Sequence, residues 1–421
     1  MPKTIIKNIQ TLYTSTGSML LKGTSMNQVL VLNDAYIVIQ DGLIYALGTG
    51  SFEKYMEKDV IIHDAKNAIA VPGFIDSHTH LVHGGSRESE FAKKIEGIPY
   101  LDILKSGGGI LSTVEMTRNA TFDELYTKAY QSLEEMLLFG VTTIEAKSGY
   151  GLNLDNEIKQ LKVAKRLHEN HPIDIVSTYM GAHAIPKDFK DNREDYIESI
   201  IESLSVIAKL KLATQVDVFC ETDVFSLEET KDILENALEL GFKIRMHADE
   251  IHSIGGAGLA VELKAVSADH LMAMDEQDMD AMAVSNTIAN LLPQTSFYLN
   301  KDYANARMML SKGIAIAISS DYNPGSAPSE NLQFAMQLAA NKMKMNPFEI
   351  LNAVTINPAV ILNLNHEIGS LEVGKKADIT LLKAPNLEYV LYHFGINHTQ
   401  DVFKNGQLVV KDRTILERRK S

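Results

Sequence analysis

The sequence predicts an α/β protein: a closed (β/α)8 TIM barrel beside a small β-sandwich-like domain built from both chain ends. Three observations predict it. Residues 70–365 alternate eight apolar, strand-like runs with amphipathic helical segments, the pattern of parallel strands joined by crossover helices. Both chain ends instead show short runs broken by Asp41-Gly42 and Asn405-Gly406, pairs that favour tight hairpin turns. Finally, residues able to bind a metal or move a proton close seven of the eight middle runs, where such barrels build active sites.

The elements follow in order. Gln28–Leu32, Tyr36–Ile39 and Leu43–Gly48 read as strands of the first end, and Ala377–Leu382 and Val402–Val410 as strands of the second. We expect residues 1–69 and 366–421 to meet in one composite β domain, with 70–365 as the barrel. The barrel strands are expected at Gly73–His78, Val141–Lys147, Ile173–His183, Gln215–Glu221, Phe242–Asp249, Ala265–His270, Thr287–Leu292 and Ile314–Asp321. Helices are expected between them, among them Phe122–Leu138, Asp155–Glu169, Tyr196–Ala208, Leu227–Leu240 and Tyr303–Leu310.

Composition narrows the class of function. The chain has 421 residues, 45% hydrophobic and 22% charged, enough for a large core. A net charge of -14 disfavours nucleic-acid and anionic-membrane partners, whose phosphates the average surface would repel. The single cysteine, Cys220, forbids an intramolecular disulfide, and the first residues lack a secretory apolar core. No apolar stretch approaches the ~18 residues that cross a bilayer. A cytoplasmic protein is expected.

The chemistry is carried by His78-Thr79-His80 at the end of the first run. Residues two apart on a strand face the same side, so both imidazoles share one space. With His247 and Asp321, at the ends of the fifth and eighth runs, they make a set of nitrogen and oxygen ligands that suits Zn2+ and can also bind iron. Such an ion lowers the pKa of water toward ~7 and polarises a carbonyl, which points to metal-assisted hydrolysis. The fourth run lacks the lysine that bridges two metals in some hydrolases, so one metal is expected; Lys147, on the second, reads as an ion-pair partner or a substrate contact. Glu250 follows His247 closely enough to act as general base. His270 is placed to hold the water or steady an oxyanion, and Asp321 to shuttle a proton. The run Gly107-Gly108-Gly109 lacks the Lys-Ser/Thr of a phosphate-binding loop and points to a mobile loop near the mouth.

Val71-Pro72-Gly73-Phe74-Ile75-Asp76-Ser77-His78-Thr79-His80 and Gly369-Ser370-Leu371-Glu372-Val373-Gly374-Lys375-Lys376-Ala377-Asp378-Ile379 resemble signatures of the metal-dependent amidohydrolase superfamily. Within it, Leu81–Phe91, Ser106–Ile110, Glu145–Leu152 and Ser320–Ser326 are similar to the imidazolonepropionase family. That resemblance implies hydrolysis of the ring amide of 4-imidazolone-5-propanoate to N-formimidoyl-L-glutamate in histidine degradation, with one Zn2+ or Fe3+ per subunit and a homodimer. It implies that Arg87 clamps the propionate, Tyr150 bonds the carboxylate or ring, and His183 holds the ring carbonyl. It also places Glu250, Asn323, Gly325 and Ser326 against the small-molecule substrate or product. Two other readings are a different cyclic-amide hydrolase or nucleobase deaminase on this scaffold, and a non-catalytic barrel used for assembly. The first would have no use for Arg87 as a clamp; the second should have lost its ligands.

Overall fold

In the computed structural model, which describes residues 3–98 and 108–417, the chain begins in one sheet and then crosses into another. The first sheet starts with β1 (Thr4–Thr14), β2 (Leu30–Gln40), β3 (Leu43–Thr49), β4 (Ile61–Asp64) and β5 (Ile69–Pro72). The second is β6 (Phe74–Asp76), β7 (Val141–Lys147), β8 (Asp174–Ala182), β9 (Gln215–Cys220), β10 (Lys243–Ala248), β11 (Ser267–His270), β12 (Ile288–Leu291) and β13 (Ile316–Ile318). The chain then returns to the first sheet with β14 (Ile379–Leu382), β15 (Thr399–Lys404), β16 (Gln407–Lys411) and β17 (Thr414–Ile415).

Strands β6 to β13 pair in sequence order, all parallel, as the eight-unit barrel requires. The intervening helices start where the sequence offers caps. Thr121 with Glu124 opens the helix Phe122–Leu138, and Ser226 with Glu229 opens Leu227–Glu239, each a reciprocal capping box.

The sheet built from both ends follows the order β17-β16-β15-β14-β5-β1-β2-β3, with β4 also on β1. It surrounds its own apolar core of Ile6, Ile9, Leu12, Ile37, Ile39, Leu381 and Phe403. Four strands were not expected from sequence: β1, β4, β5 and β17. β4, β5 and β17 are two to four residues long, and β1 mixes polar and apolar residues without a regular period of two. The chain passes from β5 to β6 at Gly73, where a Cβ would come within 2.3 Å of the Thr142 hydroxyl on β7. Only glycine permits that crossing. No helix among the described residues is long and apolar enough to cross a membrane.

Candidate active site

The rim is built from the seam between β6 and β13. Strand β6 ends at Asp76 rather than at His78, yet the chain stays paired, because Thr79 bridges Tyr322. The amides of Asp321 and His80 donate to the carbonyls of His78 and Tyr322 at 3.1 and 2.8 Å. This pairing keeps His78 and His80 on one inner side, with ring centroids 5.5 Å apart. His270 and Asp321 adopt positive φ, 78° and 56°, a conformation uncommon outside glycine but more accessible to Asp and His than to most residues.

Four expected ligands converge here. Nε2 of His78 and of His80 lie 3.4 and 3.8 Å from Asp321 Oδ1, and the His247 ring centroid is 4.5 Å from that of His78. His78, His80 and Asp321 form one cluster of potential ligand atoms within 4.8 Å of one another; His78, His247 and His270 form a second that shares His78. His270 therefore lies closer to the ligand set than its sequence position suggested.

The nitrogen chemistry is directional. Nδ1 of His78 faces Asp269 at 2.6 Å, and Nδ1 of His247 faces Asp217 at 3.0 Å. Each carboxylate accepts the Nδ1 proton, which leaves the Nε2 lone pair facing the cluster. Among the described residues neither Nε2 has a hydrogen-bond partner, although both are buried. Buried nitrogens aimed at one point without partners fit a cation, and the donor set suits zinc or iron. Burial, then neighbouring cations and imidazoles, holds His78, His80 and His270 well below the usual histidine pKa, so they are neutral donors. Lys147 donates to Glu145 and Asp217, both at 2.7 Å, and is an ion-pair partner with no amine left over.

Two buried carboxyl groups and a further imidazole sit beside this cluster. Glu250 lies 3.7 Å from Nε2 of His270; burial, then the charge of Asp321, pushes its carboxyl up to about 8. Burial pushes Asp321 up to about 6, although the Thr295 hydroxyl donates to it. His183 stacks on His80 at 4.8 Å between centroids. Its Nδ1 meets the Gly149 carbonyl at 2.9 Å, and burial with the nearby His247 pushes its pKa down to about 3. A carbonyl only accepts, so Nδ1 carries the proton and Nε2 of the neutral ring is an acceptor.

Around Arg87 and Tyr150, two acids not expected from sequence, Glu90 and Glu157, organise the loops. Glu90 is buried and receives Nε and Nη2 of Arg87 at 3.0 and 2.7 Å, and the Gly109 amide at 3.0 Å. It occupies one edge of the guanidinium; among the described residues the Nη1/Nη2 edge meets no second carboxylate. A Cβ on Gly325 would stand 2.2 Å from Arg87 Nη1, so glycine there makes room for the arginine. Asn323 is spent on its own loop: its amide donates to the Asp321 carbonyl at 2.6 Å, and its oxygen accepts from the Gly325 and Ser326 amides at 2.8 Å. Tyr150 is buried with its ring near His80 and His183. Glu157 holds the Tyr150 loop by accepting from the amides of Gly149, Gly151 and Leu152 at 2.9, 2.7 and 2.8 Å. Ser106 and Gly107 of the glycine-rich run lie outside the described residues.

Known proteins similar to this chain indicate its family and fold. Residues 69–409 match the amidohydrolase family. An imidazolonepropionase of Fusobacterium nucleatum is 53% identical over 409 residues, 97% of this chain and 98% of that protein. One from Streptococcus pyogenes is 51% identical over 399 residues, 94% and 95% of the two chains. Among solved structures, a zinc-bound adenosine deaminase of Xanthomonas campestris superposes with a TM-score of 0.72 at 16% identity, covering 99% of this chain and 95% of that one. Guanine deaminase of E. coli gives 0.73 at 12% identity, covering 98% and 99%. At such identities the structural likeness is one of fold.

Proposed function

This chain belongs to the amidohydrolase family, in its imidazolonepropionase branch, and on that premise we propose that it hydrolyses the ring amide of 4-imidazolone-5-propanoate to N-formimidoyl-L-glutamate, in histidine degradation. One observation carries the reading: a single rim joins metal-capable side chains, whose buried nitrogens are unpartnered among the described residues, to an arginine with one guanidinium edge unpaired among those residues. His78, His80, His247 and Asp321 would hold one Zn2+ or Fe3+, with His270 adjacent. A bound ion of this kind supplies a Lewis acid that polarises a carbonyl and lowers the pKa of water. A single ion suffices, because Lys147 is committed to Glu145 and Asp217.

The chain's own residues supply the rest. Arg87 receives the propionate carboxylate on its free edge, oriented by Glu90. His183 accepts from a ring N–H at Nε2, the polarity opposite to a carbonyl contact. Glu250 takes the proton of the attacking water and returns it to the departing ring nitrogen; burial raises its carboxyl to about 8, which makes the carboxylate a stronger base for the first transfer. His270 and Asp321 flank that proton path. The substrate is a small molecule; a cytoplasmic homodimer completes the proposal.

The test is to follow loss of imidazolonepropionate absorbance alongside ammonia release from purine and pyrimidine substrates. Arg87→Ala is expected to raise KM for imidazolonepropionate about 10- to 100-fold with a smaller change in kcat. Ammonia release without loss of imidazolonepropionate would make the protein a deaminase instead.

A further inference from the structure

Beneath the rim, five of the buried charged side chains form one linked set in a barrel interior that usually holds branched apolar residues. They connect the two carboxylate-backed histidines in one unbroken path. From His78 Nδ1 the path runs 2.6 Å to Asp269, and Asp269 receives Arg245 Nη2 at 2.5 Å. Arg245 Nη1 lies 3.2 Å from Glu145 Oε1, and the same oxygen receives Lys147 Nζ at 2.7 Å. Lys147 reaches Asp217 at 2.7 Å, and Asp217 reaches His247 Nδ1 at 3.0 Å. The His78 and His247 rings close the circuit, 4.5 Å apart. Its members come from β7, β9, β10 and β11 and the segment after β6, and the five charged ones are no more than 1% exposed.

Glu145 is the midpoint. Its Oε1 is the only atom in this circuit shared by both cations, and its Oε2 receives the Thr79 amide, between His78 and His80, at 3.2 Å. Within the linked set, three carboxylates against two cations leave one formal negative charge in excess. Neither Asp217 nor Asp269 can turn without disturbing a cation that Glu145 also holds. His80 and His270 have no such carboxylate behind them among the described residues.

We propose that Glu145 is a positioning residue of the metal centre, setting the orientation of His78 and His247 together through Arg245 and Lys147. The inference rests on the reading that these histidines hold a metal ion, but not on the identity of the substrate. It makes the two ligands one coupled unit, so that damage at Glu145 and damage at Asp269 act through the same connection.

The experiment measures Zn2+ affinity by chelator competition, ligand geometry by the visible absorption of Co2+-substituted protein, and folding by circular dichroism. The proteins compared are wild type, Glu145→Gln, Asp269→Asn and the double variant. Outer carboxylates of this kind are worth roughly 10- to 100-fold in metal affinity. Glu145→Gln is expected to weaken Zn2+ binding at least about 10-fold and alter the Co2+ band while the protein stays folded. The double variant should lose less than the product of the single losses. Folded Glu145→Gln with affinity within twofold of wild type, or losses that simply multiply, would overturn the proposal. Should Glu145→Gln fail to fold, Glu145→Asp decides: it keeps the charge but withdraws the carboxylate by one methylene. Weakened Zn2+ binding there supports the positioning role, and unchanged binding overturns it. A wild-type protein that bound no Zn2+ or Co2+ at all would instead remove the metal reading beneath it.

Discussion

Two buried ionic networks can be compared, one under the rim and one where the terminal sheet meets the barrel. At the junction Lys404 of β15 reaches Asp378 at 2.6 Å and Asp174 of β8 at 2.7 Å. Lys376 lies 3.8 Å from Asp174 and 2.8 Å from Glu367. The chemistry is that of the rim network, but the setting differs. Glu145, Lys147, Asp217, Arg245 and Asp269 have fully buried side chains, whereas Asp174, Lys376 and Glu367 are 23%, 32% and 54% exposed. At the junction water can reach Asp174 and Lys376 though not Asp378, which is 4% exposed, whereas in the inner network it reaches no member. A buried pair is weak evidence of stabilisation, since desolvation offsets its attraction. The closed inner network is therefore better understood as fixing geometry, and the junction as fastening one sheet to another.

The largest expected effect comes from breaking the inner network at its other cation. Arg245→Met removes the cation paired with Asp269 and one of the two cations beside Glu145, leaving carboxylates under-compensated in a dry interior. Loss of one member of a buried pair costs about 3–5 kcal/mol. Thermal and urea melts should show a large loss of stability, and Zn2+ affinity should fall with it. A variant as stable as wild type would mean that water or a side-chain shift reaches this layer, and the contrast with the junction would disappear.

Lys404→Met should do less, and differently. It frees Asp378, which is buried, and Asp174, which is partly solvated and keeps Lys376 nearby. A cost of about 1–3 kcal/mol is expected, seen as a Tm lower by a few degrees, with Zn2+ affinity within twofold of wild type. A tenfold loss of metal affinity would show instead that the terminal sheet holds the rim in place.

Most of the barrel was legible in the sequence, and the networks were not. The helix Phe122–Leu138 and the strand Val141–Lys147 fall where periodicity and caps put them. His78, His80, His247 and Asp321 were legible because each follows an apolar run. Glu145, Asp217, Arg245 and Asp269 stand inside such runs, where a charge reads as an interruption rather than as a function. A signal was present: Glu145 precedes Lys147 by two residues, and Arg245 precedes His247 by two, so each shares the inward face of its neighbour. Which charge pairs with which depends on contacts between strands far apart in sequence. Glu90 was hidden for another reason, since it lies on the helix Glu88–Ile95 and looks there like an ordinary first-turn acid.

The smallest effect expected lies wholly within the terminal sheet and separates fastening from positioning by pH. Asp401 of β15 meets His63 of β4 at 2.8 Å and accepts from the Asp412 amide at 2.8 Å. Burial pushes its carboxyl up, but hydrogen bonds from His63, Asp412 and Gln400 outweigh burial and hold it below the usual carboxylate range. A carboxyl depressed on folding stabilises above its unfolded pKa of ~3.9, and that contribution is lost as pH falls through the folded value. Asp401→Asn cannot titrate. Wild type should therefore lose Tm between pH 5 and 3 slightly more steeply than the variant, by the equivalent of about 1 kcal/mol or less. Parallel Tm curves over that range would show that Asp401 does not contribute to the acid limit of this sheet. The test is selective because the group lies outside the barrel interior, so a difference between the curves cannot arise from the histidines of the rim.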